Sequence, residues 1–353
     1  MSFGKEIKSM KRSVPTQCRN PFNVTYVPSI ARLYLWAHGS QGLDFFSRLR
    51  RFIGPKLYMF FRGMHSLSSR GTFQYELNGQ HVLLEFNGEN TQFHSLYDRP
   101  YRYGYEIETA MALDSLADEN AVFYDIGSNW GHFSLFLASR PDYEGKIFAF
   151  EPFAPSFRDL QSIVQQADLS KRVSTYHLAL SDFDGTSSMT LPDGIRSGLA
   201  SLSSAGDDHE GTTKVAKLDS LELDPPSLMK LDVEGNEARV VLGGRKTIAK
   251  HAPHIIFEHH RQELDSSFAI FDELTRQHYL FYIPALEFKA GKNILRVSYG
   301  EDYADLIDRY GAYKFCLIQM KAEDRCLYPP QLDILAVHEK KVKLIRHLFP
   351  GAS

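Results

Sequence analysis

Acidic side chains stand at the ends of four apolar runs in this sequence. Asp125, Glu151 and Asp182 end the first three, and the fourth is followed by Asp232 and Glu234. A carboxylate can accept hydrogen bonds from hydroxyl and amine groups, or take a proton from a reacting group. If the runs are strands of one open parallel sheet, ligands bind at the carboxyl ends of those strands. The four positions therefore predict a single ligand site.

A glycine loop begins at the first of these carboxylates, with the sequence DIGSNWGH at residues 125–132. Gly127 permits a sharp turn off the strand, and Gly131 permits a helix to begin close to a ligand with free N–H groups. Ser128 and Asn129 lie between the two glycines. The G-x-G-x-x-G pattern of a nicotinamide dehydrogenase and the Lys-Ser/Thr pair of a P-loop are both missing. The looser loop suits the amino-acid end of S-adenosylmethionine, and an ordinary turn between strand and helix is the alternative.

The next two carboxylates have separate expected roles. Glu151 ends the following strand, where a carboxylate can accept hydrogen bonds from both hydroxyls of a ribose. Asp182 ends the third run and could bond the exocyclic amine of adenine. An Asx turn that begins the loop after this run explains Asp182 equally well.

Asp232 and Glu234 are the first candidates for the place where a cofactor methyl group and a substrate hydroxyl meet. Charges around the end of an apolar strand are costly unless they are exposed, paired or used. Lys230 and Asp232 share one face of a strand, because side chains alternate with a period of two, so a structural ion pair is the alternative.

A histidine pair ends the next predicted strand. His259 or His260 could act as a general base, because an imidazole titrates near neutral pH. With Glu263 close in sequence a metal site is conceivable, but the spacing matches no established set of metal ligands, and we expect no metal.

The elements that must hold these residues alternate along the chain. Apolar strands are expected at 121–126, 146–150, 173–180, 228–231 and 254–258, and late strands at 279–286, 313–320 and 332–337. Helices are expected at about 105–117, 131–140, 155–167 and 236–250. This alternation predicts a doubly wound α/β fold, with a mostly parallel sheet covered by helices on both faces.

The N-terminal hundred residues follow a different pattern. Alternating apolar residues on both sides of Asn78-Gly79 predict a β-hairpin over residues 72–87. Residues 45–64 combine aromatic and basic side chains, which is typical of a helix that lies weakly on an anionic membrane surface. The alternative is a packing helix pair broken at Gly54-Pro55.

The composition limits the function classes. The chain is 43% apolar and 24% charged, with a net charge of −3, which is ordinary for a globular protein. A protein that follows nucleic-acid phosphates normally has a basic excess, so no nucleic-acid partner is expected. The three cysteines are scattered, and no apolar run approaches the ~20 residues that cross a bilayer. With no secretory signal at its start, the protein is expected to be cytoplasmic.

Taken together, the motifs resemble the FkbM family of methyltransferases. The matching segments are YDIGSNWG at 124–131, FEP at 150–152, ALSD at 179–182, KLDSL at 217–221, MKLDVEGNE at 229–237 and VLGG at 241–244. The resemblance covers about residues 104–260. It implies a class I methyltransferase fold with a seven-stranded sheet, and S-adenosylmethionine as methyl donor. By position, Glu106 matches an acidic residue that precedes the first motif in the family, and Trp130 is bulkier than the residue expected there.

The sequence therefore predicts an N-terminal extension at 1–103 and a methyltransferase domain at 104–353, with 285–332 as a candidate insertion around the substrate pocket. The resemblance implies O-methylation, most often of a sugar, glycan or related small-metabolite hydroxyl. A nucleic-acid methyltransferase and a non-catalytic nucleotide-binding protein are the alternatives. The stretch 186–212, including Ser197 and Gly198, is expected to wall the acceptor pocket. Oligomeric state is left open.

Overall fold

A computed structural model describes residues 14–38, 45–64, 67–190, 201–202, 212–260, 268–298 and 303–351 of the 353-residue chain. The N-terminal part, residues 14–103, contains β1 (Phe22–Tyr26), α1 (Ser29–His38), α2 (Phe45–Met64), β2 (Arg70–Leu77), β3 (Gln80–Asn87) and α3 (His94–Tyr97). The middle of the chain contains α4 (Ile107–Leu116), β4 (Phe123–Ile126), α5 (His132–Ala138), β5 (Ile147–Phe150), α6 (Ala154–Gln166), β6 (Val173–Tyr176), β7 (Ala179–Leu180), β8 (Gly185–Thr190), β9 (Ser201–Leu202) and β10 (Thr212–Ala216).

The rest of the chain completes the sheet. It contains β11 (Leu228–Leu231), α7 (Glu237–Gly243), α8 (Arg245–His251), β12 (His254–His260), α9 (Ala269–Arg276), β13 (Tyr279–Ala290), β14 (Asn293–Val297), α10 (Tyr303–Tyr310), β15 (Tyr313–Met320), β16 (Gln331–His338) and α11 (Val342–Ile345). Strands β4, β5 and β11 are buried along their whole length, as expected for strands covered on both faces.

The central sheet has the order β6-β5-β4-β11-β12-β16-β13-β14, and β15 also pairs with β13. The chain starts in the middle with β4, moves outward through β5 and β6, and then crosses to β11 on the other side of β4. Strand β16 lies antiparallel between β12 and β13. The expected doubly wound α/β class is confirmed, and this arrangement is the class I methyltransferase fold that the resemblance implies.

The expected number of seven strands was too low, because the sheet has nine strands among the described residues. Strand β13 has twelve residues and extends beyond β16. Its residues Leu286–Ala290 pair with β14, and Phe281–Phe288 pair with β15. Six of the nine strands run in the same direction.

The expected strand at 173–180 is divided between two sheets. Strand β6 ends at Tyr176 and belongs to the central sheet, whereas β7 pairs with β10 in a separate sheet of order β7-β10-β8-β9. Asp182 follows β7 and is exposed, so it does not end a strand of the central sheet.

The N-terminal part contains the expected hairpin, β2 and β3, with β1 added along its edge. Asn78 and Gly79 form the turn with φ angles of 52° and 74°, the left-handed region that a tight hairpin turn requires. This sheet packs on the central fold, and Phe22 and Tyr75 share one buried core with Trp130 of the glycine loop.

The helix pair of the N-terminal part differs from the expected one. Residues 45–64 form one helix, α2, which continues through Pro55, and its partner is α1. Gly54 permits their close approach, because a Cβ atom at this position would lie 2.8 Å from Cα of Ala37. No helix in the described ranges has both the length and the apolar content that a membrane span requires.

Candidate functional site

A cavity of about 450 Å³ lies at the carboxyl ends of the central strands. It includes the ends of the neighbouring strands β4 and β11. The order of successive strands runs outward in one direction from β4 and in the other direction from β11. Open α/β sheets bind ligands at such a reversal point, and the volume is within the usual range for small-molecule sites. The cavity is lined by eight residues that the sequence predicted, namely Glu106, Asp125, Gly127, Ser128, Asn129, Glu151, Asp232 and Glu234.

The glycine loop forms the floor between β4 and β11. Gly127 has a φ angle of 83°, and a Cβ atom there would lie 1.7 Å from the carbonyl oxygen of Asp232. The N–H groups of Gly127 and Ser128 donate to the carbonyl of Phe150 at 2.9 and 3.0 Å. Only glycine fits at 127, because both the backbone angle and the close approach exclude a side chain.

Gly131 has a related role outside the cavity lining. It has a φ angle of 91° and precedes the first residue of α5. A Cβ atom there would lie 2.6 Å from Cδ1 of Leu160. Gly131 therefore sets the start and packing of α5, and the loop residues before it contact the cavity.

Asp125 anchors the loop from inside the fold. It is buried, and its Oδ2 atom accepts hydrogen bonds from the backbone N–H of Ser134 at 3.1 Å and from the Ser134 hydroxyl at 2.6 Å. Burial raises the pKa of the Asp125 carboxyl, although the nearby Lys230 ammonium and these hydrogen bonds oppose the rise.

Glu151 lies at the end of β5 with its carboxylate held in place by the backbone. Its two oxygens accept hydrogen bonds from the N–H groups of Asn129 at 2.8 Å and Phe153 at 2.7 Å. Burial raises the pKa of Glu151 to about 7 despite these bonds. Each carboxylate oxygen has a second lone pair, so the group can accept further hydrogen bonds from a ligand.

A buried ion pair lies at the end of β11. Nζ of Lys230 is 2.7 Å from Oδ2 of Asp232 and 4.7 Å from the centre of the Phe133 ring. Burial alone would lower the pKa of Lys230, but the carboxylates of Asp232 and Glu106 raise it above its ordinary value. The ion-pair alternative for these two residues is therefore realised, and the pair also lines the cavity.

Two further carboxylates surround the same ammonium group. Glu106 precedes α4 with a φ angle of 41°, and burial raises its pKa well above the ordinary value. Asp333, on β16, accepts a hydrogen bond from the Thr109 hydroxyl, and burial raises its pKa to about 6.

A second charged group extends the cavity towards β12 and β16. Nε2 of His260 lies 3.0 Å from Oε2 of Glu258, and Gln331 also hydrogen-bonds Glu258. The bond to Glu258 raises the pKa of His260 to about 9. Burial would raise the pKa of Glu258, but the bond from His260 outweighs it and leaves the pKa below its ordinary value.

Glu234 completes this group. It has a φ angle of 50°, and burial followed by the charge of Asp232 raises its pKa to about 9. One potential ligand atom from each of Glu234, Glu258 and His260 lies within 4.8 Å of the others, close enough to hold a metal ion. The His260–Glu258 pair also balances charge within the group, and the expectation that no metal is bound stays a prediction.

Besides Gly131, two predicted site residues do not line the cavity. His259 is buried on the opposite face of β12, where its ring packs against Phe268 and Phe271 and its Nδ1 atom accepts a hydrogen bond from Arg325. Alternation along the strand directs Glu258 and His260 to the cavity and His259 away from it. Asp182 is exposed on the loop after β7 and does not line the cavity.

The wall opposite the strand ends comes from segments that carried no chemical motif. It includes Tyr34, Gln92, His94, Tyr101 and Tyr105. Trp130 lies against this wall, and its Nε1–H group donates to the carbonyl of Gln92 at 3.3 Å. These contacts join residues far apart in sequence, and no local pattern indicates them.

The remaining predicted wall segments are only partly described. Met189, Tyr303 and Gln331 line the cavity, which supports a contribution from 186–212 and 285–332. Ser197 and Gly198 lie outside the described residues. The boundary at 103/104 and the insertion at 285–332 stay predictions.

The described lining is rich in carboxyl groups. Seven of its residues are Asp or Glu (Glu106, Glu108, Asp125, Glu151, Asp232, Glu234 and Glu258), and one, Lys230, is Lys or Arg. Because burial raises the pKa of several of these carboxyls, the lining offers both carboxylates and protonated carboxyl groups as hydrogen-bonding partners. The site therefore suits a ligand with several hydroxyl or amine groups.

Sequence comparison identifies a domain around this site. Residues 122–281 match the family model described as the methyltransferase FkbM domain. A search of the curated proteins gave no match.

The chain is also similar to several solved structures, of which three follow. The chain is similar to a methyltransferase FkbM from Methylobacillus flagellatus KT, at 14% identity and a TM-score of 0.39, over 65% of this chain and 52% of that one. It is similar to precorrin-6y C5,15-methyltransferase from Geobacter metallireducens GS-15 at 13% identity and a TM-score of 0.34, over 66% and 88% of the two chains. A SAM-dependent O-methyltransferase from Thermotoga maritima has 11% identity and a TM-score of 0.34, over 75% and 77%. The match thus spans about half of the Methylobacillus chain.

Proposed function

Since residues 122–281 form an FkbM methyltransferase domain with S-adenosylmethionine as cofactor, we propose that this chain methylates a hydroxyl group of a sugar, a glycan or a related small metabolite. The observation that carries the proposal is the group Asp232, Glu234 and Glu258 on one side of the cavity. Carboxylates accept hydrogen bonds from hydroxyl groups, and a polyol acceptor presents several of them.

The residues present fit the cofactor. The Glu151 carboxylate can accept hydrogen bonds from the two ribose hydroxyls. Gly127 lets the loop pass directly beside the Asp232 carbonyl, which keeps Ser128 and Asn129 at the edge of the cavity, where they can contact a ligand. The carboxyl groups of the lining can accept hydrogen bonds from an amino group.

When bound, the cofactor supplies a methyl group already activated for displacement by its sulfonium centre. The protein then has to align the acceptor oxygen and exclude water. Tyr105, Trp130 and Phe133 form an aromatic wall for the second purpose. One face of Phe133 already carries the Lys230 ammonium.

Asp232 is the proposed general base. The Lys230 ammonium stabilises the ionised form of its carboxyl and opposes the rise in pKa that burial causes. The Asp232 carboxylate would accept the proton of a hydroxyl group held beside it, a transfer typically worth 10²–10⁴ in rate. Glu234 would hold a neighbouring hydroxyl, and His260, which lines the cavity, is the second candidate base in place of His259.

Calorimetric titration tests the cofactor site. The wild-type chain is expected to bind S-adenosylmethionine and not NAD. Glu151→Gln keeps the shape of the side chain but loses the charge, and Glu151→Ala loses both. We expect affinity to fall in both variants and most in Glu151→Ala. A folded wild type that does not bind S-adenosylmethionine would contradict the proposal.

Transfer of a labelled methyl group tests the acceptor class. Purified enzyme is incubated with labelled cofactor and either a glycan and small-metabolite extract or total RNA, with Asp232→Asn as the inactive control. Label in the extract, absent with Asp232→Asn, supports the proposed acceptor. Label in RNA at a comparable rate would instead favour a nucleic-acid methyltransferase.

A further inference from the structure

Helix α2 carries a basic and aromatic sequence with no acidic residue. Its twenty residues, FFSRLRRFIGPKLYMFFRGM, include Arg48, Arg50, Arg51, Lys56 and Arg62. The helix packs against α1 through a small buried group, Ile30, Ala37 and Tyr58. The composition alone is compatible with a packing helix, so the decisive question is which side chains face outward.

The outward face of α2 is the apolar one. Large apolar side chains recur along it at helical spacing: Leu49, Phe52, Ile53, Met59, Phe60 and Met64 are 37–68% exposed. Arg48 and Lys56 lie on the same face and are also exposed. A helix on the surface of a globular protein normally shows the opposite arrangement, with its polar face in water. This exposed row, from Arg48 to Met64, is named the α2 face.

Helix α1 connects the α2 face to the cavity. Tyr34 of α1 lines the cavity, and its ring lies 5.4 Å from that of Tyr58 in α2. Trp36, on the same short helix, is 44% exposed. Whatever surface contacts α2 is therefore separated from the cavity by one helix pair, each helix about 10 Å across.

We propose that the α2 face docks this protein on an anionic lipid surface, lying in the plane of the interface. Its large apolar side chains enter the region between headgroups and acyl chains, while Arg48 and Lys56 contact the anionic headgroups with their apolar stems beside them. This inference is independent of the proposed methyl transfer, because it depends only on the helix pair α1 and α2 and on the charge of the lipid surface.

Charge decides between a lipid surface and a second copy of the chain. A symmetric contact would place α2 against α2, since a two-fold interface uses the same patch on both partners. Arg48 and Lys56 of one copy would then face the same two residues of the other, with no acidic residue in either helix, and such like-charge contacts are unfavourable. An anionic lipid surface has the complementary charge.

Vesicle flotation with the full chain tests the proposal. The vesicles contain phosphatidylcholine and phosphatidylserine in a ratio of about three to one, or phosphatidylcholine alone, at low and physiological salt. The protein is expected to float with the anionic vesicles, less at higher salt, and not with neutral ones. Phe52→Ser/Phe60→Ser should weaken binding by more than about tenfold, and Arg48→Gln/Lys56→Gln by about thirtyfold.

The matched control is Leu83→Ser/Leu327→Ser, which removes two apolar side chains that are 61% and 78% exposed outside α2. It should bind vesicles like the wild type. All variants are compared by thermal unfolding and by titration with S-adenosylmethionine, so that loss of folding or of cofactor binding is distinguished from loss of membrane binding. No flotation with anionic vesicles, or equal loss in the control, would overturn the proposal. A dimer that Phe52→Ser/Phe60→Ser dissociates, without flotation, would identify the α2 face as a contact between copies.

Discussion

The ammonium of Lys230 lies 2.7 Å from the carboxylate of Asp232, and four carboxylates in all surround that one cation. Asp232, Glu106, Asp333 and Asp125 each raise its pKa. Lys230 is almost completely buried, and Asp232 is about one-third exposed towards the cavity. The pair is therefore a stable charged unit with one side open to a ligand.

Removal of the Lys230 ammonium alone should lower the free energy of unfolding more than removal of both charges of the pair. Lys230→Met leaves Asp232 without its partner, and we expect the free energy of unfolding at neutral pH to fall by about 3 kcal/mol. Lys230→Met/Asp232→Asn should recover part of that loss. Urea unfolding of the two single variants and the double variant measures the coupling. Additive effects would show that the ion pair contributes nothing of its own.

The pH dependence of Lys230→Met follows from the same contact. Burial already raises the folded-state pKa of the Asp232 carboxyl above its ordinary value. Loss of the opposing ammonium raises it further, so the interval between the unfolded and folded pKa values widens. The folded state binds more protons, so stability decreases as pH rises through that interval. The deficit of Lys230→Met relative to wild type should therefore be smaller at about pH 5 than at about pH 8.

The pH profile of the rate identifies the base. The bond to Glu258 raises the pKa of His260, and burial that of Glu234, to about 9. Burial also raises the pKa of Asp232, although the Lys230 ammonium opposes the rise. With Asp232 as base, His260→Asn should leave the pH dependence of kcat/KM unchanged. A rise centred near pH 9 that disappears in His260→Asn would assign the role to His260.

His259 should matter for stability alone. Its Nδ1 atom accepts a hydrogen bond from Nε of the buried Arg325 at 3.0 Å, so His259→Ala should lower the free energy of unfolding by about 2 kcal/mol. The rate per folded molecule should stay within a factor of about two. Asp232→Asn should instead lower the rate per folded molecule by at least about 10²-fold. Paired measurements of rate and urea unfolding check both, and a large rate loss in His259→Ala would contradict its position outside the cavity.

A pair of glycine substitutions separates backbone angle from close approach. Gly127 and Gly291 both have positive φ angles, 83° and 65°, but a Cβ atom at 127 would meet the Asp232 carbonyl, while nothing lies within 4 Å at 291. Gly291→Ala should cost about 1 kcal/mol for the angle alone. Gly127→Ala should cost clearly more and should abolish binding of S-adenosylmethionine. If urea unfolding gave equal losses of stability for the two variants, the loop at Gly127 would have to move to accommodate the added Cβ atom.

The central strands were predictable because their signals are local. The run Leu228–Leu231 is buried at every position, and its expected bounds are confirmed. The glycine loop was predictable for a similar reason, since Gly127 has a conformation that glycine adopts most easily.

The errors concern contacts that no local pattern contains. The expected strand through Ala179 joins a second sheet, because its pairing partner Val215 lies 36 residues along the chain. His259 lies two residues after Phe257 and therefore on the same face of β12. Phe257 packs in the core under α9. Because side chains alternate along a strand, a core position for Phe257 indicates that His260, and not His259, faces the cavity.

Trp130 of the glycine loop packs against aromatic residues of the N-terminal part, and this contact has a consequence for related sequences. Its indole is 2% exposed, stacks on Phe93 at 4.7 Å and meets Phe22 and Phe73 edge-on at 5.8 and 6.2 Å. A homologue that lost β1 and β2 would leave this ring against water and should favour a small residue there. Tryptophan at this position should therefore be inherited together with the N-terminal sheet, and its presence in a genome sequence would serve as a one-residue marker of that architecture.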